Sequence, residues 1–340
     1  EDTRDQLYRN NADGTFTDVA EELGLDGSGD NHQASWLDAD GDGDLDLFVP
    51  TLQGENHLYR SGGDGTFTED TPEALRLPHQ AFGSAAADLN NDGRADLVVS
   101  ANSLSGWLSD DQEEASVVFI STGSGFTATP LSTGQLGQEP VLARVMGFQV
   151  GDLDMDGQID LFFGTGEPQQ SDTNWLLLNR SGADGLWWED ATALIDHAAP
   201  EDGGSEAYPG YPYRTHGTVM FDADGDGAMD LFVGNGGMDL IPDRHEPSRL
   251  FAGNLRDDVG TLQLTLVGTA SNRDGVGARI TVVSDADTSR PVVRFVLRST
   301  GFNASVPRTQ LIGLGDRQPP YTVTVDWPLG ATQTVSVAPR

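Results

Sequence analysis

Four short stretches of this sequence set carboxylates at alternate positions around a glycine: DADGDGDLD from Asp38, DLNNDGRAD from Asp88, DLDMDGQID from Asp152 and DADGDGAMD from Asp222. Each has the form D-x-[D/N]-x-D-G-x-x-D, with an apolar run directly after it. Side-chain oxygens at positions 1, 3, 5 and 9 and a backbone carbonyl at position 7 can converge on one ion, while the glycine at position 6 allows the sharp turn. The first loop offers Asp38, Asp40, Asp42, Asp46 and the Asp44 carbonyl; the second offers Asp88, Asn90, Asp92, Asp96 and the Arg94 carbonyl. The third offers Asp152, Asp154, Asp156, Asp160 and the Gln158 carbonyl; the fourth offers Asp222, Asp224, Asp226, Asp230 and the Ala228 carbonyl. An all-oxygen donor set suits Ca²⁺, and Mg²⁺, which holds its water in a tight octahedral shell, suits it less well. About four calcium ions are expected, with the second loop weakest because one of its carboxylates is an amide.

Electrostatics points the same way. Two carboxylates about 4 Å apart repel by roughly 4 kcal/mol at an effective dielectric of 20, so a loop with several of them needs a cation to close. An EF-hand is not expected, because β-branched and aromatic residues follow position 9 and no Glu closes the loop at position 12. The loops should instead join two strands.

The first Asp residues stand 50, 64 and 70 positions apart, room for about four short strands per repeat. A second recurring unit lies between the loops: LYRNNADGTFTDV from Leu7, LYRSGGDGTFTED from Leu58, VFISTGSGFTAT from Val118 and LLLNRSGADGLWWED from Leu176. Each reads as strand, glycine-containing turn, strand. A blade is then an acidic hairpin followed by this one, with Phe16, Phe67, Phe126 and Trp187 expected in the core between blades. At Leu7 the sequence enters in the middle of such a blade, with no acidic hairpin before it, so the N-terminal strands are expected to complete the last blade and close a ring of four or five blades.

The acidic loops resemble the FG-GAP or VCBS repeats of integrin-α-type propellers, over about residues 1–255. The stretches GTLQLTLVGTASNRDGVGARITV, STGF, LIGLG and VTVDWPLGATQTV are similar to the ASPIC/UnbV domain of cartilage acidic protein-like secreted proteins, over residues 260–340. Here LIGLG at Leu311–Gly315 lacks the His-Phe that usually opens that segment, and Asn303-Ala304-Ser305 replaces the usual Ser-Gln. The fold expected is all-β: a calcium-binding β-propeller followed by a small β-sandwich-like domain. The resemblance implies secretion or a cell-surface location, calcium binding, and adhesion or matrix contact.

Composition narrows the partners. With 54 acidic residues against 19 basic ones, all arginine, the formal charge is −35, a poor surface for nucleic acid or anionic membrane. No apolar run reaches the length of a membrane span, the first six residues are too polar for a signal peptide, and the absence of cysteine removes disulfides and thiolate metal sites. No H-E-x-x-H, G-x-S-x-G, P-loop or dinucleotide fingerprint occurs. His32 and His216 each stand six residues before a first Asp and could share a channel, but Phe82 and Met146 take the corresponding places in the other repeats. The remaining histidines, His57, His79, His197 and His245, join no motif. A non-enzymatic adhesion, scaffold or assembly protein is therefore expected, binding an extracellular protein or glycan or forming a homo-oligomer or polymer. The alternatives are a lectin-like propeller, for which Tyr208, Tyr211 and Tyr213 supply an aromatic loop, and, less favoured, a propeller hydrolase or lyase. Residues 101–115 and 190–214 depart furthest from the repeat and are the expected recognition surface.

Overall fold

The computed structural model describes residues 4–27, 29–77, 80–101, 115–133, 139–140, 145–166, 174–182, 185–195, 214–236, 247–302 and 304–338. These are nearly all strand and turn. The first sheet runs in order through Ser35–Leu37, Asp46–Val49, His57–Ser61 and Phe67–Glu69, every neighbour antiparallel. The second repeats this with Ala81–Ala87, Asp96–Ala101, Val117–Ser121 and Phe126–Pro130. The third uses Val145–Gly151, Asp160–Thr165, Trp175–Asn179 and Trp188–Asp190, extended at its edge by Ser132–Thr133 and Glu139–Pro140. The fourth has Thr215–Phe221, Asp230–Asn235 and Arg249–Phe251.

Every acidic loop joins the first strand of a sheet to the second, in one register. Leu37 pairs with Asp46, Ala87 with Asp96, Gly151 with Asp160 and Phe221 with Asp230, so the residue before position 1 faces position 9 each time. In the first three sheets the apolar run after position 9 is buried on both faces because the sheets pack in series, which is why it reads as a continuous hydrophobic stretch, whereas in the fourth Phe232 is 37% exposed. Leu37, Phe48 and Leu58 of the first sheet meet Leu97, Val117 and Phe119 of the second. Val98 and Val118 on the other face of the second meet Phe148, Leu161 and Trp188 of the third, and Phe162 and Leu176 of the third meet Met220, Leu231 and Val233 of the fourth. This is the layout of propeller blades.

Two expectations are corrected. The N-terminal strands Tyr8–Asn10 and Phe16–Asp18 pair only with one another among the described residues, and Leu7 and Leu23 pack against Leu47, Val49 and Tyr59 of the first sheet rather than completing the fourth. Of the aromatic residues assigned to the core between blades, Phe126 is buried and Phe67 is partly so, whereas Phe16 is 61% exposed. In the third sheet it is Trp188, not Trp187, that is buried, because the strand begins at Trp188 and alternation from there turns its side chain inward.

The C-terminal unit is a small sandwich. Gly260–Thr265 pairs with Thr309–Gly315, and a four-stranded sheet runs in the order Asp287–Phe295, Arg279–Ser284, Tyr321–Asp326, Thr332–Val337. Ile312 and Leu314 from the pair close onto Ile280, Val282, Val292, Val323 and Val325 from the sheet. The connecting residues 299–302 and Ala304 leave this sandwich and enter among the first strands of the blades. Phe148 and Val150 donate backbone hydrogen bonds to Phe302 and Thr300, Ala304 bridges to Thr218, and the Phe302 ring meets Phe82 edge-on at 4.5 Å. Gly301 is required there: at φ +150° it lies so close to Phe148 that a Cβ would overlap the Phe148 carbonyl.

Candidate metal sites

The loops are shaped by their own carboxylates. In each, one oxygen of the position 1 Asp accepts the N–H of the position 6 glycine: Gly43 to Asp38 at 3.1 Å, Gly93 to Asp88 at 2.9 Å, Gly157 to Asp152 at 3.1 Å and Gly227 to Asp222 at 3.1 Å. Position 6 is left-handed in all four, and position 4 is too, occupied by Gly41, Asn91, Met155 and Gly225. Asparagine adopts this backbone readily, whereas a buried methionine at φ +59° is uncommon and marks the third loop as different.

Position 9 ties the loop to the blade. Asp46, Asp96, Asp160 and Asp230 are all buried, and in each one oxygen accepts the N–H of position 2 while the other accepts an N–H from the third strand or the residues following it. Those donors are Ala39 and Ser61, Leu89 and Ser121, Leu153 and Asn179, and Ala223 and Gly253, all between 2.6 and 3.0 Å. The sequence pattern read this residue only as a ligand. Its second task, fixing the loop to the sheet, is visible only when the third strand is in place.

Carboxylate oxygens converge in three of the loops: Asp38, Asp40 and Asp42; Asp152, Asp154 and Asp160; and Asp222, Asp224 and Asp230, within 4.8 Å of one another in each group. Asp46 stands outside the first group. The second loop forms no such group: Asn90 Nδ2 donates to Asp92 at 2.9 Å, and Arg94 pairs with the same carboxylate. Asp156 and Asp226 accept the N–H groups of Gln158 and Ala228 two residues on.

Protein cations line these groups unevenly. Arg60 lies 3.0 Å from Asp46 and 3.5 Å from Asp40. At the third loop Arg180 lies 2.7 Å from Asp154 and 3.1 Å from Asp156, while Arg294, from the C-terminal sandwich, lies 2.7 Å from Asp152. Sequence reading missed these arginines. Arg60 and Arg180 each adjoin a residue that donates to position 9, so the LYRS and LLNRS motifs held a signal; Arg294 gave none, being far away in the chain.

Burial pushes the Asp88 carboxyl up to about 6 and the Asp96 carboxyl up to about 7. It pushes Asp152 up to about 7 against the opposing pull of Arg294, and holds Asp160 well above the carboxylate range. Burial also raises Asp38 and Asp46. Carboxyls gathered in this way resist ionisation unless a cation joins them. In the third loop one buried oxygen each of Asp152 and Asp154 has no hydrogen-bond partner, although both residues are otherwise bonded. A hard divalent cation fits these free oxygens, and the donor set contains no nitrogen or sulfur.

Among the described residues no cluster of three candidate metal ligands includes a histidine. His32 Nε2 is 3.0 Å from Asp30, and its ring packs on Phe82 and Phe302. His57 Nδ1 is 2.9 Å from Glu69. His79, His197 and His245, the tyrosines Tyr208, Tyr211 and Tyr213, and most of the two inserts expected to recognise a partner lie outside the described residues. No described helix is long and apolar enough to cross a membrane.

Comparison with known proteins gives the repeats a family. An FG-GAP-like repeat matches residues 1–49 and again 38–99, and an ASPIC and UnbV domain matches residues 268–339. Cartilage acidic protein 1 of Mus musculus is 27% identical over 299 residues, covering 86% of this chain and 41% of that protein. The Homo sapiens protein of the same name is 26% identical, covering 86% and 40%. The chain thus spans about two fifths of the length of these relatives. Among solved structures, the BP39L lectin from Burkholderia pseudomallei aligns over 90% of this chain and 84% of its own, at 11% identity and a TM-score of 0.37. The chain carries FG-GAP-like repeats and a C-terminal ASPIC and UnbV domain, and is homologous over most of its length to cartilage acidic protein 1.

Proposed function

We propose that this chain is part of a secreted or cell-surface scaffold or adhesion protein, non-enzymatic, whose blades are closed by calcium in the acidic loops. One observation carries the reading: the same hairpin, in the same register, brings three carboxylates within 4.8 Å of one another in three of the four repeats, the first, third and fourth. Fixed by position 9 to a buried strand, each loop can hold an ion without the entropy of closing a free acidic segment. Sites of this open, oxygen-rich kind on extracellular modules bind calcium at about 10⁻⁴ to 10⁻³ M, which only the millimolar calcium outside cells would fill. The family of the relatives supports that location.

Packed sheets offer large rigid faces for a protein or glycan partner, or for another copy of the chain. A formal charge of −35 opposes self-association unless cations bridge the contacts, so assembly should grow with calcium and with salt. Light scattering of the purified chain in calcium and in chelator tests this. A calcium-dependent rise in mass, or calcium-dependent retention of an extracellular glycoprotein, is expected. A monomer under every condition that turns over polysaccharides would replace the scaffold with an enzyme.

A further inference from the structure

The third acidic loop is the only one of the four whose first carboxylate forms an ion pair with the C-terminal sandwich, among the described residues, although the same Arg294 also acts by its charge on Asp88 of the second loop. Arg294 sits on the strand Asp287–Phe295, its side chain 9% exposed, and its Nη2 donates to Asp152 Oδ2 at 2.7 Å while Nη1 holds the Val293 carbonyl at 2.9 Å. Two further contacts grip the same loop. The Gly315 N–H donates to the Met155 carbonyl at 3.0 Å, and Arg317 donates to the Asp156 carbonyl at 3.2 Å. The left-handed turn at Met155 presents its carbonyl to the sandwich, and a Cβ on Gly313 would lie 2.4 Å from both Asp152 Oδ2 and the Met155 backbone.

Arg294 uses the oxygen of Asp152 that already accepts the Gly157 N–H. The other oxygen, buried and without a hydrogen-bond partner, is left to the interior of the loop. Charge agrees with this division. Asp152, Asp154 and Asp156 pair with two guanidiniums, Arg294 and Arg180, the second shared with Glu189, and Asp160 pairs with none, so the loop keeps negative charge for a cation. The guanidinium and the ion therefore complement one another instead of competing.

We propose that Arg294 makes the third loop an interdomain latch: it orients Asp152 from outside while calcium binds from inside, so that docking of the sandwich and filling of this loop strengthen each other. The proposal rests on the reading of the loops as calcium sites. Arg294 is a positioning residue, and such outer partners alter metal affinity by about 10- to 100-fold. The coupling is reciprocal, since whatever docking does for the ion the ion does for docking.

Hydrogen exchange of the full chain, titrated with calcium and read by mass spectrometry, follows each loop separately. In the wild type, calcium should protect the peptides over 152–160 and over the sandwich strand 309–315 with a common midpoint. In Arg294→Gln the midpoint for 152–160 should rise about tenfold or more, the response of 309–315 should be lost, and the midpoints of 38–46 and 222–230 should stay. Arg294→Lys keeps the charge without the planar fork and should fall between, which keeps the test open if the glutamine variant does not fold. An unmoved midpoint at 152–160 with normal responses at the other loops overturns the latch alone. A lower midpoint overturns it too, by showing that the guanidinium competes with the ion. Absence of any calcium response in the wild-type loops would remove the calcium reading and the latch together.

Discussion

The first and third acidic loops share a motif, a register and a tie at position 9, yet they sit in opposite surroundings. Asp40 and Asp42 face solvent, with Arg60 reaching in from the same blade. Asp152 and Asp160 are fully buried, Arg180 and Arg294 line the loop, and the C-terminal sandwich covers it. A solvent-facing loop can be neutralised by whatever ions water brings. A buried one cannot, and this protein supplies part of the positive charge itself, from a second domain. One sequence pattern thus serves as a surface site in one repeat and as the seat of a domain interface in another.

The sharpest way to break this comparison is to delete the first carboxylate of each loop in chelator. Asp152→Ala leaves the Arg294 guanidinium buried without its partner and should cost about 3–5 kcal/mol in urea unfolding. Asp38→Ala removes a half-exposed carboxylate from a repelling cluster and should change stability by no more than about 1 kcal/mol. Equal losses at the two would mean that the third loop is not distinguished by its interface.

Close approach makes the next contrast. Gly313→Ala forces a Cβ against Asp152 and the Met155 backbone and should cost about 2–3 kcal/mol, because neither neighbour can retreat. Gly43→Ala meets nothing within 4 Å in the first loop and pays only for its left-handed backbone at φ +94°, about 1 kcal/mol. Thermal denaturation of the two variants should rank them in that order.

Further along the interface, Phe302→Ala withdraws the ring packed on Phe82 and should cost about 2 kcal/mol, less than a fully buried phenylalanine because Phe302 is only half-buried. The smallest effect belongs to Gln263→Ala. Gln263 Nε2 donates to Asp222 at 2.8 Å, so the sandwich also touches the fourth loop, but through an exposed neutral amide. Its loss should fall below about 1 kcal/mol and leave the calcium response of 222–230 in place. A larger effect than that of Asp152→Ala would move the domain latch from the third loop to the fourth.

Much of the blade architecture was legible because it repeats. Four copies of one loop, each followed by a strand apolar on both faces, specify hairpins packed in series with no need for long-range information. The C-terminal strands were legible from alternation, as in Tyr321–Asp326, where every second residue is buried. What could not be read depends on residues distant in sequence. Arg294 is 142 positions from Asp152, and no local pattern distinguishes it from an exposed strand arginine. The same holds for residues 299–302, whose entry among the blades depends on a glycine that only a close approach explains. The N-terminal hairpin was misplaced for a related reason: its motif says that it is the outer half of a blade but not which sheet it lies against, and Leu7 and Leu23 decide that by packing on the first.

The central claim, that the acidic loops are closed by calcium, is tested most directly by the melting temperature of the full chain with the bound metal counted in parallel. In millimolar calcium each filled loop should add roughly 0.5 to 1.5 kcal/mol, so that chelation lowers the melting point by several degrees and calcium, but not magnesium at the same concentration, restores it. A melting point unmoved by excess chelator, with no calcium retained by the protein before chelation, would contradict the account.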